Sequence, residues 1–235
     1  MCHTDKDAPW ALAALNRWGV QFRDTSNHPA RAFQRMTQGD QRVVPQLMQI
    51  ASDTNAAPIW RATAMEALGG AGGQAVLQTA AQILYDDDPL LRASTVRALE
   101  FMPLEQRLQL LDYLMDDPVT SVRMAVAESL AGVPLEQVSP EQSAKLRKLF
   151  DEYAGILQQH ADMPGVQLQL GIFLANRGDT KAAEAAYREA LYLNRQLIPA
   201  HLNLADLLRG QGRDEEARTV LLEALAVAPD NGNTL

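Results

Sequence analysis

With 235 residues, 47% of them hydrophobic and 21% charged, the chain has the make-up of an ordinary globular protein, long enough to bury a large core or to divide into several units. Its formal net charge of −8, with arginines spread thinly, excludes a general nucleic-acid binder, which needs a basic stripe to displace phosphate counterions. The single cysteine, Cys2, excludes an intrachain disulfide and a four-cysteine zinc site, and no apolar run approaches the ~20 residues of a membrane span.

The chain opens Met1-Cys2-His3-Thr4-Asp5-Lys6-Asp7-Ala8-Pro9-Trp10, with a second tryptophan at Trp18. These first residues are polar and do not form a signal peptide. Cys2-His3 matches the last two residues of Cys-x-x-Cys-His, the motif in which two thiols bond the haem vinyl groups and the histidine ligates iron. The first cysteine of such a motif would lie upstream of residue 1, so this chain alone would not hold haem through two thioethers. A Cys-His pair at a frayed terminus also arises by chance. His28, before Pro29, is either a distal iron ligand in a longer protein or a polar loop residue.

From residue 28 a 31-residue period takes over. Arg61, Arg92 and Arg123 recur at that interval, as do Leu68, Leu99 and Leu130, and Asn55, Asp86 and Asp117. Repetition at this length marks stacked supersecondary units. Each unit starts a helix on polar residues and continues with one apolar stripe: Trp60, Ala64, Ala67 and Leu68, then Leu91, Thr95, Ala98 and Leu99, then Val122, Val126, Ser129 and Leu130. Partner helices fall at 43–51, 74–85 and 104–115, and Pro103 and Pro134 end the helices before them.

The pattern over 28–138 resembles the HEAT repeat family, in its short variant with an aspartate in the turn and a Val-Arg-like pair opening the second helix. The resemblance implies a ladder in which the turn aspartate and the arginine six residues later link neighbouring units. Asp86/Arg92 and Asp117/Arg123 fit it, whereas Asn55 departs from it. From the residues alone, the same aspartate is a helix N-cap and the arginine a solvated side chain.

Residues 133–140 form a seam, and a linking helix lies within 139–163. From residue 164 the period changes to 34: Gly178 and Gly212, Ala183 and Ala217, Ala190 and Ala224, Leu191 and Leu225. Small residues at Gly171/Ala205, Ala183/Ala217 and Ala190/Ala224 let two helices approach closely, and Gly178 and Gly212 supply left-handed turns. Residues 164–231 match the tetratricopeptide (TPR) pattern. The resemblance implies that partners bind the concave, first-helix face, here Leu168, Ile172, Ala175 and Asn176, then Leu202, Asn203, Asp206 and Arg209. Asn203 holds a position that clamps a C-terminal carboxylate in some TPR proteins, but Leu168 and Ile172 occupy others, so no such clamp is expected. The last helix, expected at 215–228, would leave Val220, Leu222 or Val227 uncovered, which predicts self-association or docking through this end.

The expected fold is therefore all-α, a right-handed α-solenoid of stacked hairpins, HEAT-like and then TPR. The expected divisions are an upstream remnant at 1–27, HEAT-like repeats at 28–138, a linking helix at 139–163 and TPR repeats at 164–235. The segment after Cys2-His3, the stretch Ile59-Trp60-Arg61-Ala62-Thr63-Ala64 and the HEAT-then-TPR order together are similar to the C-terminal region of a multihaem c-type cytochrome family. That resemblance implies an exported, periplasmic electron-transfer protein whose full length carries c-type haem, with Cys2 and His3 as a partial haem motif and His3 as an iron ligand only in a longer protein. Without it the chain reads as cytoplasmic.

No catalytic residue stands out. His160 reads as a helix-end residue and His201 as a surface one. Asp86-Asp87-Asp88 lacks the spaced loop and bidentate glutamate of a calcium site. The run Gly69-Gly70-Ala71-Gly72-Gly73 lacks the Lys-Ser/Thr of a phosphate loop. The leading function is a non-catalytic scaffold that binds a protein partner or a second copy of itself. The alternatives are electron transfer, with the N-terminal segment contributing to a haem site, and a bilin lyase-like enzyme, which HEAT-like repeats also resemble.

Overall fold

The computed structural model describes residues 6–20 and 28–228. Among them the chain forms thirteen α-helices and no strand. They are α1 (Ala8–Arg17), α2 (Pro29–Thr37), α3 (Val44–Ser52), α4 (Pro58–Gly69), α5 (Gln74–Ile83), α6 (Pro89–Ala98), α7 (Leu104–Leu111), α8 (Thr120–Leu130), α9 (Pro140–Gln159), α10 (Pro164–Asn176), α11 (Thr180–Leu193), α12 (Ile198–Gly210) and α13 (Asp214–Val227). Short 3-10 turns cover Gln41–Val43 and Asp112–Asp116. Proline opens α4, α6, α9 and α10. It is harmless there, because a first-turn N–H has no acceptor inside the helix. Gly178 and Gly212 turn the hairpins with φ of +81° and +74°, a region open to glycine at little steric cost.

The second helices of the 31-residue units, α4, α6 and α8, pack side by side, and α3, α5 and α7 lie against them as an outer layer. This double contact corrects the single-stripe expectation. Leu68, Leu91, Leu99, Val122, Val126 and Leu130 are buried as expected, whereas Trp60 and Ala67 are only partly so. Ala62, Met65, Ala93, Val96, Ala125 and Ala127 are buried as well, because each second helix is flanked by a partner and by neighbouring units.

The turn aspartates do not cap the helices that follow them. The cap of α6 is Asp88, which accepts the Leu90 N–H at 2.8 Å, and α8 has no side-chain cap. Asp86 and Asp117 instead fold the turn, accepting the N–H groups of Asp88 at 3.0 Å and Val119 at 2.8 Å. Their other role is the ladder. Arg61 donates to Asp86 at 2.8 Å, and Arg92 grips Asp117 with two bonds of 2.8 and 2.9 Å. Each arginine therefore reaches the turn of the following unit. Arg92 also binds its own turn through the Asp86 and Asp87 carbonyls at 2.8 and 3.0 Å. The side chains of Arg61 and Arg92 are 9% and 11% exposed, so these are not solvated arginines. Asn55 stands where no rung is made: the residue 31 places before Arg61 is Ala30.

The last rung changes partner. The next register position after Asp117 is Lys148, and Arg123 pairs instead with Glu152, one turn further along α9. Burial of Leu146, Leu149, Phe150, Tyr153 and Leu157 makes α9 the lid of the first array. Phe173 of α10 packs on Phe150 and Tyr153, with ring centroids at 5.6 and 4.8 Å. Arg177 donates to the Ala131 and Val133 carbonyls, both at 2.8 Å, and lies 4.6 Å from the Phe150 ring centre. One hydrophobic core thus runs from Ala32 to Phe173, and a smaller one holds Ala183, Tyr187, Leu204, Ala205, Leu208, Ala217 and Val220.

Candidate interaction surface

Ile172, Ala175 and Asn176 share one face of α10, and Asn203, Asp206 and Leu207 share one face of α12, each set spaced i, i+3, i+4. The two faces meet over Tyr187 in an open depression of about 310 Å³. Its depth depends on Gly171. A Cβ there would stand 2.4 Å from the Tyr187 ring, so the tyrosine lies flat against α10 only because glycine leaves the space.

Five of the residues expected to bind a partner, Ile172, Ala175, Asn176, Asn203 and Asp206, line this depression together. Leu168 is not among them: it is partly buried against the second core, and Leu202 is likewise partly buried. Arg209 ion-pairs with Asp206 at 3.2 Å and lines a separate groove with Leu221, Leu222 and Leu225 at the end of the array. On that end Leu222 and Val227 are 55% and 39% exposed. Of the three residues named for this end, Val220 is the one that is buried, because it packs with Leu204 and Leu208 in the second core.

The histidines sort differently from their sequence reading in one case. His28 caps α2 through Nδ1, which accepts the Ala30 N–H at 3.2 Å, and its ring meets Trp60 edge-on at 5.3 Å. His160 ends α9. His201 is 3% exposed and not on the surface, because its side of α12 turns toward α11 and α13. Cys2 and His3 lie outside the described residues. Among the described residues no group of three or more metal-binding side chains occurs, and no helix is long and apolar enough to cross a membrane.

Three charged features escaped the sequence reading. Arg213 bridges Glu184 of the preceding hairpin at 2.6 Å and Glu216 at 2.7 Å, and these bonds hold both carboxyls below their usual range. No register signal announces it, since the residue 34 places earlier is Asp179. The second is Arg177, a single residue with no repeat partner. The third was visible: Glu66, Arg97 and Glu128 follow the 31-residue period and form a stripe across α4, α6 and α8. Burial pushes the Glu128 carboxyl above the usual glutamate range, with Arg97 opposing and Glu100 adding to the shift.

Residues 44–131 match the family model for HEAT repeats, and residues 174–233 match that for the tetratricopeptide repeat. HEAT repeats are followed here by a TPR. Among solved structures, the chain is similar to TTC0263, a thermophilic TPR protein of Thermus thermophilus, at 17% identity and a TM-score of 0.47, over 81% of this chain and 94% of that one. It is also similar to MamA AMB-1, at 17% identity and a TM-score of 0.35, over 88% of this chain and 93% of that one. No curated protein matches the chain. Neither the HEAT nor the TPR match extends to residues 1–43.

Proposed function

We propose that this chain is a non-catalytic scaffold whose TPR hairpins hold a segment of a partner protein. The observation that carries this reading is the depression over Tyr187, where Asn176, Asn203 and Asp206 stand exposed or half-exposed beside Ile172 and Leu207. Amide and carboxylate groups there can meet a peptide backbone while the aliphatic side chains take its apolar residues. A photo-crosslinking residue at Asn203 should capture a discrete partner that the same residue at exposed Lys181 does not. Equal capture at both positions, or none at Asn203, would remove the assignment.

The same scaffold associates with itself through its TPR end, where Leu222 and Val227 remain open. Sedimentation should show mass rising with concentration for the wild type and not for Leu222→Asp. A strict monomer at high concentration contradicts it.

In a longer protein, Cys2 and His3 would complete a c-type haem motif, and the scaffold would then serve an exported cytochrome. The support is the Cys2-His3 pair and the segment after it, together with the repeat order. One thiol cannot form two thioether bonds, so the reading requires a cysteine three positions before Cys2. The codons upstream of Met1 decide it.

A further inference from the structure

A second cleft lies on the opposite side of α12 from the depression over Tyr187. His201 faces one and Asn203 the other, two residues apart and thus about 200° around the helix. This cleft, of about 480 Å³, opens between α11, α12 and α13. Its floor is aliphatic: Leu191, Leu204 and Val220. Two cations, Arg188 and Arg195, and one carboxylate, Glu223, ring it on a chain of net charge −8.

The register shows how this cleft differs from the matching place in the preceding hairpin. In the frame 34 residues earlier, Arg188, Arg195 and Ala226 correspond to Ala154, Ala161 and Tyr192. The earlier hairpin has no cation at the first two positions and a large ring at the third. Its counterpart of His201 is Gln167, which donates to the Ala161 carbonyl at 2.9 Å. His201, 3% exposed, has only Nδ1 at 3.4 Å from the Leu197 carbonyl. A buried ring with so long a contact keeps hydrogen-bonding capacity for a group that enters beside it. Arg188 is already committed to Glu184 at 2.8 Å, whereas Arg195 has no described carboxylate within ion-pair distance. The unspent charge is therefore on Arg195.

We propose that this cleft is a second docking site and that it takes a partner polypeptide segment in which an acidic side chain adjoins aliphatic ones. The aliphatic side chains fill the Leu191–Leu204–Val220 floor, and the carboxylate meets Arg195 and His201. Charge selects the ligand: Glu223 repels the carboxylate weakly, and Arg195 attracts it. The site is independent of the depression over Tyr187 and stands if that surface binds nothing.

The test is an amide-shift titration of the full chain with acetyl-Ala-Asp-Leu-Leu-Ala-amide, its Asp-to-Asn counterpart, and octanoate. The acidic peptide should move resonances in 191–204 and 220–227, and the Asn peptide should bind about tenfold more weakly or worse, the usual worth of a charge-assisted hydrogen bond. Arg195→Gln, at an exposed position outside the helices, should weaken the acidic peptide about threefold or more, and Glu223→Gln should strengthen it. Several outcomes overturn the proposal: no shift in those segments at several millimolar, equal binding of both peptides, shifts confined to 172–176 and 203–207, or indifference to both variants. Tighter binding of octanoate than of the acidic peptide also overturns it, because it makes a free fatty acid the occupant.

Discussion

Arg92 and Asp117 show what a single rung of the ladder does. Their side chains are 11% and 4% exposed, and the bond pair is bidentate. A charge so placed is costly to leave alone. Asp117→Ala should lose ~3–5 kcal/mol in urea unfolding, while the double change Arg92→Leu with Asp117→Leu should lose much less, since no orphaned charge remains. Arg42 offers a contrast: its side chain is 85% exposed where it meets Asp40, and Arg42→Ala should shift the urea midpoint little. Gly171 obeys steric logic instead. Gly171→Ala drives a methyl into Tyr187 and should cost ~1–3 kcal/mol. Adding Tyr187→Leu should recover most of it, because the next hairpin already carries Ala205 and Leu221 at these positions. Glu128 makes the acid response two-sided. Its carboxyl is raised by burial, so the folded state prefers it protonated, and that contribution is present at low pH and lost as pH rises through its raised pKa. Glu152 and Glu184 are held low by Arg123 and Arg213, so their contribution is lost as pH falls. Glu128→Gln should accordingly raise the thermal midpoint more at pH 7 than at pH 4, and an equal effect at both would contradict the assignment.

Among the helices, those with a periodic counterpart were legible and those without were not. The second helices of the 31-residue units were found because every unit must repeat the same contacts with its neighbour, which writes Leu68, Leu99 and Leu130 into one frame. Their second buried face was missed because Ala62, Ala93 and Ala125 look neutral in sequence and become core only when a neighbour packs on them. The α9 helix was read as a link between the two arrays, but the contacts by which it makes that link were not legible. It breaks the 31-residue frame at Lys148, meets Arg123 through Glu152, and gives Phe150 and Tyr153 to the junction with α10. Likewise, helical spacing brought Ile172, Asn176, Asn203 and Asp206 together, while His201 was misplaced because the packing of α11 and α13 over α12 has no local signature. At the junction, Arg177 reaches from the end of α10 to the chain just past α8, holding the Ala131 and Val133 carbonyls. Arg177→Met keeps the apolar stem but removes these bonds. It should split a single thermal transition into two, the TPR part melting first, as followed by circular dichroism with and without residues 178–228.

Across the molecule, burial is unevenly divided. The HEAT repeats, α9 and Phe173 share one core, and the TPR hairpins α11–α13 hang from it through a smaller cluster that borrows Leu174 from the larger. A solenoid loses its elements from the end with the fewest neighbours. Amide exchange should therefore be fastest in α1, where only Ala14 is buried, faster in α13 than in α12 at the other end, and slowest in α6 and α8, which are flanked on both sides. The ladder adds direction to this gradient, since each arginine reaches forward and the last ties to Glu152. Pulled between its ends, the stack would yield like a zip fastener opened from its tips: α1 at one end, and α13 and then α12 at the other, would detach and lengthen the chain while α3 to α9 stayed shut. The proposed partner of the TPR hairpins would then lose its seat at a lower load than the one that opens α3 to α9.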